Sequence, residues 1–230
     1  MNRQLVLSIP LYTQASLADF CWGENALLKQ QIDYALNKGG EKFIYLWGEA
    51  ASGKSHLLQA CCQEASASKS AAYLPLTLLK TWEPEALDSM DEQAFLAIDD
   101  IDAIAGNKAW EEALFHLYNR VRDNDHTILV IAGNAPPASL TIQLPDLRSR
   151  LAWGLVAQIH ELNDELKINT LQQQAKKRGF ELPDSVASFL LNRCSRNLHD
   201  LNQILESLDT ASLAAQRKIT IPFVKYTLSI

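Results

Sequence analysis

Residues 48 to 56 read GEAASGKSH and directly follow an apolar run, KFIYLW, that ends at Trp47. The stretch satisfies the pattern G-x-x-x-x-G-K-[ST] through Gly48, Gly53, Lys54 and Ser55. No other feature of the chain limits its fold as strongly. Small residues, here Ala51, Ser52 and Gly53, let successive backbone N–H groups curl around a phosphate, and a helix starting near Lys54 points its positive end at the same anion. Such a loop works only with a strand before it and a helix behind it. In this pattern Lys54 reaches the β- and γ-phosphates, Ser55 offers its hydroxyl to Mg2+, and His56 follows in the first helical turn. The expected ligand is a nucleotide, ADP or ATP with Mg2+, with the identity of the base left open.

The rest of the chain supplies the framework that the loop demands. KFIYLW, AAYLPL, AFLAID, TILVIA and GLVAQI are short apolar runs that do not alternate with polar residues. That is the pattern of strands in a parallel sheet covered on both faces by helices. ENALLKQQIDYALNK, SHLLQACCQEA and AWEEALFHLYNRVRD read as helices between or before them, which predicts an α/β core of βαβ units with five parallel strands. After Ile159 the strands stop. Three amphipathic stretches follow, with starts at Asn163, Pro183 and Asn197 and a stop at Gly179; the last segment, IPFVKYTLSI, is given no element. The expected organisation is a tail over 1–15, an α/β nucleotide-binding core over 16–160 and a small all-helical lid domain over 161–230.

Within the core, AFLAIDDID delivers Asp99 and Asp100 to the C-terminal end of a strand, where ligands of open α/β sheets bind. Alone, such a pair would serve as a helix cap. Behind a phosphate loop, Asp99 is expected in the Mg2+ shell, and Asp100 is expected to orient an attacking water. Asn134, in LVIAGNAPP, follows the fourth strand and is a candidate contact for the γ-phosphate or that water. LPDLRSRLAWG places Arg148 and Arg150 just before the fifth strand. An arginine offered across a subunit boundary would complete a neighbour's site.

Bulk properties remove other classes. A net charge of -6 over 230 residues gives no general attraction to a phosphate backbone, so no strong direct DNA binding is expected. No apolar run approaches the ~18 residues needed to cross a bilayer, so no membrane partner is expected and the location is expected to be cytoplasmic. The N-terminal apolar stretch lacks the length and cleavage site of a secretory signal. The four cysteines include no C-x-x-C pair and the five histidines no ligand spacing, which argues against a zinc site. The opening RQLVLSIPLYTQ then reads either as an edge strand or as a peptide for another protein's groove.

Taken in order, these segments resemble the AAA+ ATPases and, within them, the ATPase domain of the bacterial replication initiator DnaA. FLAIDDIDAIAG with WEEALFHLYNRV resembles its Walker B region and the next helix. RSRLAWGL is similar to its box VII, and ADFCWGENALL to the segment lining the nucleotide base, which includes Trp22 and Gly23. The chain does not continue into a helix-turn-helix domain, so the resemblance implies a short DnaA-like regulator that inactivates the initiator once replication has begun. It further implies that Gln4, Leu5, Leu7 and Ile9 bind the sliding clamp of the DNA polymerase. It implies that Arg150, with Arg148 as second choice, is an arginine finger for DnaA, and that Asn134 occupies the sensor I position. At the sensor II position His199 stands where the family has arginine, with Arg196 nearby, so weak hydrolysis by the chain itself is expected. An autonomous ATPase acting as a helicase loader is the alternative. A homodimer is among the assemblies left open.

Overall fold

In the computed structural model, residues 15–230 are described, and the clamp-binding residues expected at 4–9 lie outside them. The chain divides into two compact units, one ending at Ile159 and the other running from His160 to Ile230 together with Ala51–Gly53.

The first unit opens with helix α1 (Ala26–Lys38), followed by strand β1 (Phe43–Trp47), helix α2 (Lys54–Ser66), strand β2 (Ala71–Pro75) and the single turn α3 (Leu76–Leu79). Strand β3 (Phe95–Asp99), helix α4 (Lys108–Asn124), strand β4 (Ile128–Gly133), helix α5 (Pro145–Leu151) and strand β5 (Leu155–Gln158) complete it. All strand pairs are parallel and the order is β2-β3-β4-β1-β5. The five-stranded parallel sheet flanked by helices therefore stands as read from the sequence.

Successive strand residues point to opposite faces, and each face has its own core. On one, Tyr45, Leu96, Ile98, Leu129 and Ile131 pack against Trp110, Leu114 and Leu117 of α4 and Leu147 and Leu151 of α5. On the other, Ile44, Leu46, Phe95, Ala97 and Val130 meet Leu28 and Ile32 of α1 and Leu57, Leu58 and Cys61 of α2. Full burial of a large aliphatic or aromatic side chain stabilises by about 1.5–3 kcal/mol, so the two layers together hold the sheet rigid beneath its loops.

Two strands depart from the expectation of burial on both faces. β5 alternates between half-buried and exposed residues, with Val156 and Gln158 outward, and the first two residues of β2 are only half-buried. Both are edge strands, and an edge receives cover from one neighbour instead of two. Pro75, which cannot donate to a ladder, is accommodated at such an edge.

The second unit contains α6 (Asp164–Lys177), α7 (Asp184–Arg193), α8 (Leu198–Ala215) and α9 (Ile221–Leu228), around a core of Leu171, Leu190, Leu201, Leu205 and Val224. Asn163 caps α6, its side chain accepting the Leu166 N–H at 2.9 Å, and Pro183 and Asn197 stand just before α7 and α8. The closing segment, for which the sequence predicted no element, is a fourth helix. Thr220 caps it by accepting the Phe223 N–H and Pro222 occupies its first turn. That Thr-Ile-Pro start is a legible helix signal which its apolar surroundings masked. Among the described residues, no helix is long and apolar enough to cross a membrane.

Candidate nucleotide site

The loop from Gly48 leaves the C-terminal end of β1 and enters α2 at Lys54. Ala51 and Gly53 both adopt left-handed backbone, with φ of 65° and 98°. Alternating left-handed residues fold a chain into a concave cradle of N–H groups. The conformation is costly at Ala51, which has a Cβ, and free at Gly53. Such strain is retained where the surrounding structure enforces it, and phosphate cradles are one such place.

The side chains fit a bound phosphate. Lys54 is buried, and its Nζ donates to the carbonyls of Gly48 and Glu49, both at 2.8 Å. Burial pulls its pKa below that of an ordinary lysine, while Asp99, Asp100 and Asp102 act in the opposite direction. The Ser52 hydroxyl is buried and makes no hydrogen bond. Ser55 is half-buried in the first turn of α2. Lys54 and the backbone N–H groups of the loop together offer a cation and donors to one anion.

Asp99 and Asp100 stand beside the lysine at the end of β3. Asp99 is almost fully buried; its Oδ2 accepts the Tyr73 hydroxyl at 2.7 Å and its Oδ1 accepts the Asp100 N–H at 3.0 Å. Asp100 takes left-handed backbone, φ 56°, and accepts the Thr77 hydroxyl at 3.1 Å. Burial, then the charge of Asp99, raises its pKa, and the Thr77 bond and Lys54 oppose the rise. Among the described residues, no three His, Cys, Asp or Glu side chains gather to hold a metal by themselves. A cation here would rely on Asp99, Ser55 and phosphate oxygens, a donor set of hard oxygens that suits Mg2+.

Asn134 follows β4 with an exposed side chain, and its N–H donates to Asp102 Oδ2 at 2.8 Å. The Tyr45 hydroxyl donates to the Ala135 carbonyl at 2.8 Å, so the turn after β4 is tied to both neighbouring elements. Phe20, which the sequence reading passed over, packs edge-on to Trp22 at 4.7 Å and against the His56 ring at 5.5 Å. That contact carries the expected base-lining segment, including Trp22 and Gly23, to the start of α2. Tyr73, Thr77 and Asp102 were likewise missed. Asp102 alone had a signal, as the third acid of DDID.

Arg150 does not join this group. It sits on α5, where Leu147 and Leu151 turn inward and Arg148 is exposed. Its guanidinium lies 5.3 Å from the ring centroid of Trp153 and beside Phe43 and Ile44, at the N-terminal end of β1. Trp153 is 54% exposed and lines a groove of about 520 Å³ together with Tyr34 and Lys42. The base of α5 is fastened by the buried Glu111, whose carboxylate accepts the N–H groups of Gly106, Gln143 and Leu144 at 2.7–3.1 Å. The turn after Trp153 needs Gly154: its φ is 83°, and a Cβ there would stand 2.4 Å from the Phe43 carbonyl oxygen.

The residues expected at the sensor II position belong to the second unit. Arg196 pairs with the Asp164 carboxylate. His199 lies on α8, and its side chain is outside the described residues.

Comparison with known proteins agrees with this architecture. The family model for the bacterial DnaA ATPase domain matches residues 18–158, and the model for "Hda, lid domain" matches residues 164–228. Domain III of the Thermotoga maritima replication initiation protein DnaA is 21% identical with a TM-score of 0.78, over 96% of this chain and 98% of that one. AMPPCP-bound DnaA from Aquifex aeolicus is 23% identical with a TM-score of 0.70, over 86% of this chain and 66% of that one. The Thermotoga maritima RuvB Holliday junction branch migration motor shares the fold at 17% identity and a TM-score of 0.68, over 94% and 72% of the two chains. With more than half its length matching the one family and its helical unit the other, the chain belongs to the bacterial DnaA ATPase-domain family, as a DnaA-related replication regulator with an Hda-type lid.

Proposed function

We propose that this chain inactivates DnaA. In this reading it holds ADP or ATP with Mg2+ at Gly48–Ser55 and docks on the DNA-loaded sliding clamp through Gln4, Leu5, Leu7 and Ile9. It then presents Arg150 to ATP bound by DnaA. Clamp docking raises the local concentration of the regulator beside the initiator. The guanidinium stabilises charge that develops on the partner's γ-phosphate, an effect of roughly 10³–10⁵ in rate for arginine fingers.

One observation carries the reading: Arg150 lies at the opposite end of β1 from the chain's own phosphate loop. The five residues from Phe43 to Trp47 separate them by roughly 13 Å along a parallel strand. That is more than an arginine side chain spans, which supports a guanidinium offered to a phosphate of another molecule. Among the described residues, no carboxylate pairs with it. A half-exposed cation resting on a ring is held by about 0.5–1 kcal/mol, little enough to be released on docking.

The test is reconstituted hydrolysis of DnaA-bound ATP with DNA-loaded clamp. Arg150→Ala is expected to abolish stimulation and to leave clamp binding intact, whereas Gln4→Ala with Leu7→Ala is expected to lose both. Normal stimulation by Arg150→Ala would overturn the trans mechanism.

A further inference from the structure

Tyr73 and Asp99 lie on neighbouring strands and on the same face of the sheet. The register pairs Tyr73 with Ala97 and Pro75 with Asp99, so Tyr73 is the diagonal neighbour of the acid. A long side chain leaning along its strand covers that diagonal. The phenol does so, donating to Asp99 Oδ2 at 2.7 Å in a buried setting. A third buried group, the Gln59 side chain, lies close to the same hydroxyl.

The donor and acceptor inventory sets the direction of this relay. An ionised carboxylate only accepts, so the single phenolic proton goes to Asp99. The phenolic oxygen is then left as an acceptor, and Gln59 has an amide N–H to offer it. Asp99 Oδ1 is meanwhile taken up by the Asp100 N–H. Each oxygen of Asp99 thus carries one hydrogen bond from the protein and keeps a lone pair for another partner. Gln59 follows Ser55 by four residues on α2, which places both on one face of the helix.

We propose that Tyr73 is the positioning residue of the cation site, holding Asp99 as an oriented carboxylate and tying it through Gln59 to the helix that carries Ser55. The two expected cation ligands are thereby joined by the fold before any nucleotide arrives. The inference rests on the nucleotide–Mg2+ reading of the site. Hydrogen bonds of this kind behind a metal ligand are commonly worth about 10–100-fold in metal affinity.

The experiment follows the fluorescence of N-methylanthraniloyl-ADP bound to the full chain, titrated with MgCl2 from EDTA-treated samples. Tyr73→Phe is expected to move the Mg2+ midpoint upward about 10-fold while leaving metal-free nucleotide affinity unchanged. A purely structural role would instead lower metal-free affinity and thermal stability together. Gln59→Leu, which keeps the phenol but frees its orientation, is expected to shift the midpoint the same way by less, and serves if Tyr73→Phe folds poorly. A Tyr73→Phe midpoint within twofold of wild type, or a Gln59→Leu midpoint within twofold where that variant stands in, overturns the inference. Asp99→Asn separates this failure from the larger one: if it keeps the wild-type Mg2+ response, the cation reading of Asp99 has itself failed.

Discussion

The two ends of the central strand β1 present opposite kinds of charge chemistry. At its C-terminal end, three ionic groups are held by the protein's own atoms: Lys54 by two carbonyls, Asp99 by Tyr73, Asp100 by Thr77. At its N-terminal end Arg150 rests on an exposed indole, and among the described residues no carboxylate forms an ion pair with it. A receiving site must be organised before its ligand arrives, since reorganisation would consume binding energy. A group that is to be given to a partner must leave its resting place cheaply. The difference between a preorganised end and a loosely parked one is what the proposed function would require of a single rigid sheet.

The comparison breaks most visibly if the ends prove interdependent. Arg150→Ala is expected to cut the stimulated hydrolysis of DnaA-bound ATP by about 10³-fold and to leave this chain's ADP affinity within twofold. Lys54→Ala is expected to do the reverse to nucleotide affinity, weakening ADP by about 100-fold in equilibrium binding. A Lys54 variant with wild-type affinity would remove the receiving site from the account.

Glu111 tests how α5 is carried. Its loss to alanine takes the acceptor from three part-buried N–H groups, two of them on exposed residues that water reaches, so Glu111→Ala is expected to lose about 1–3 kcal/mol in urea denaturation. Glu111→Gln keeps an acceptor and is expected to lose less than half of that. Gly154→Ala is expected to cost about 2 kcal/mol, because the new Cβ meets the Phe43 carbonyl and φ is positive; stimulation should fall with it as Trp153 moves. The smallest effect belongs to Tyr118, beside Arg150, whose buried hydroxyl has no partner. Tyr118→Phe is expected to change stability by less than about 1 kcal/mol, toward stabilisation, since it removes an unsatisfied group and no contact. A clear loss of stability would mean that the hydroxyl has a partner in solution.

Legibility followed the range of the interactions. The phosphate loop could be read because its glycines, lysine and serine act through backbone geometry within nine consecutive residues. Asp99 and Asp100 could be read because an apolar strand delivers whatever follows it to the ligand-binding edge. Tyr73 could not, since it reaches Asp99 from 26 residues away through a strand pairing, and Glu111 could not, since it binds backbone 32 and 33 residues ahead. The over-read burial of β5 has the same origin: an apolar run does not announce whether one neighbour or two will cover it.

From the sequence alone came the α/β framework, the helical region behind it, the phosphate loop and the positions of both acids, all of which depend on contiguous residues and on periods of 2 and 3.6. Only the tertiary structure decided that Arg150 lies over the ring of Trp153 and that Tyr73, Thr77 and Glu111 hydrogen-bond with Asp99, Asp100 and the start of α5. Those outcomes depend on which strands become neighbours, and strand order is set by the packing of whole layers, a property no local stretch of sequence carries.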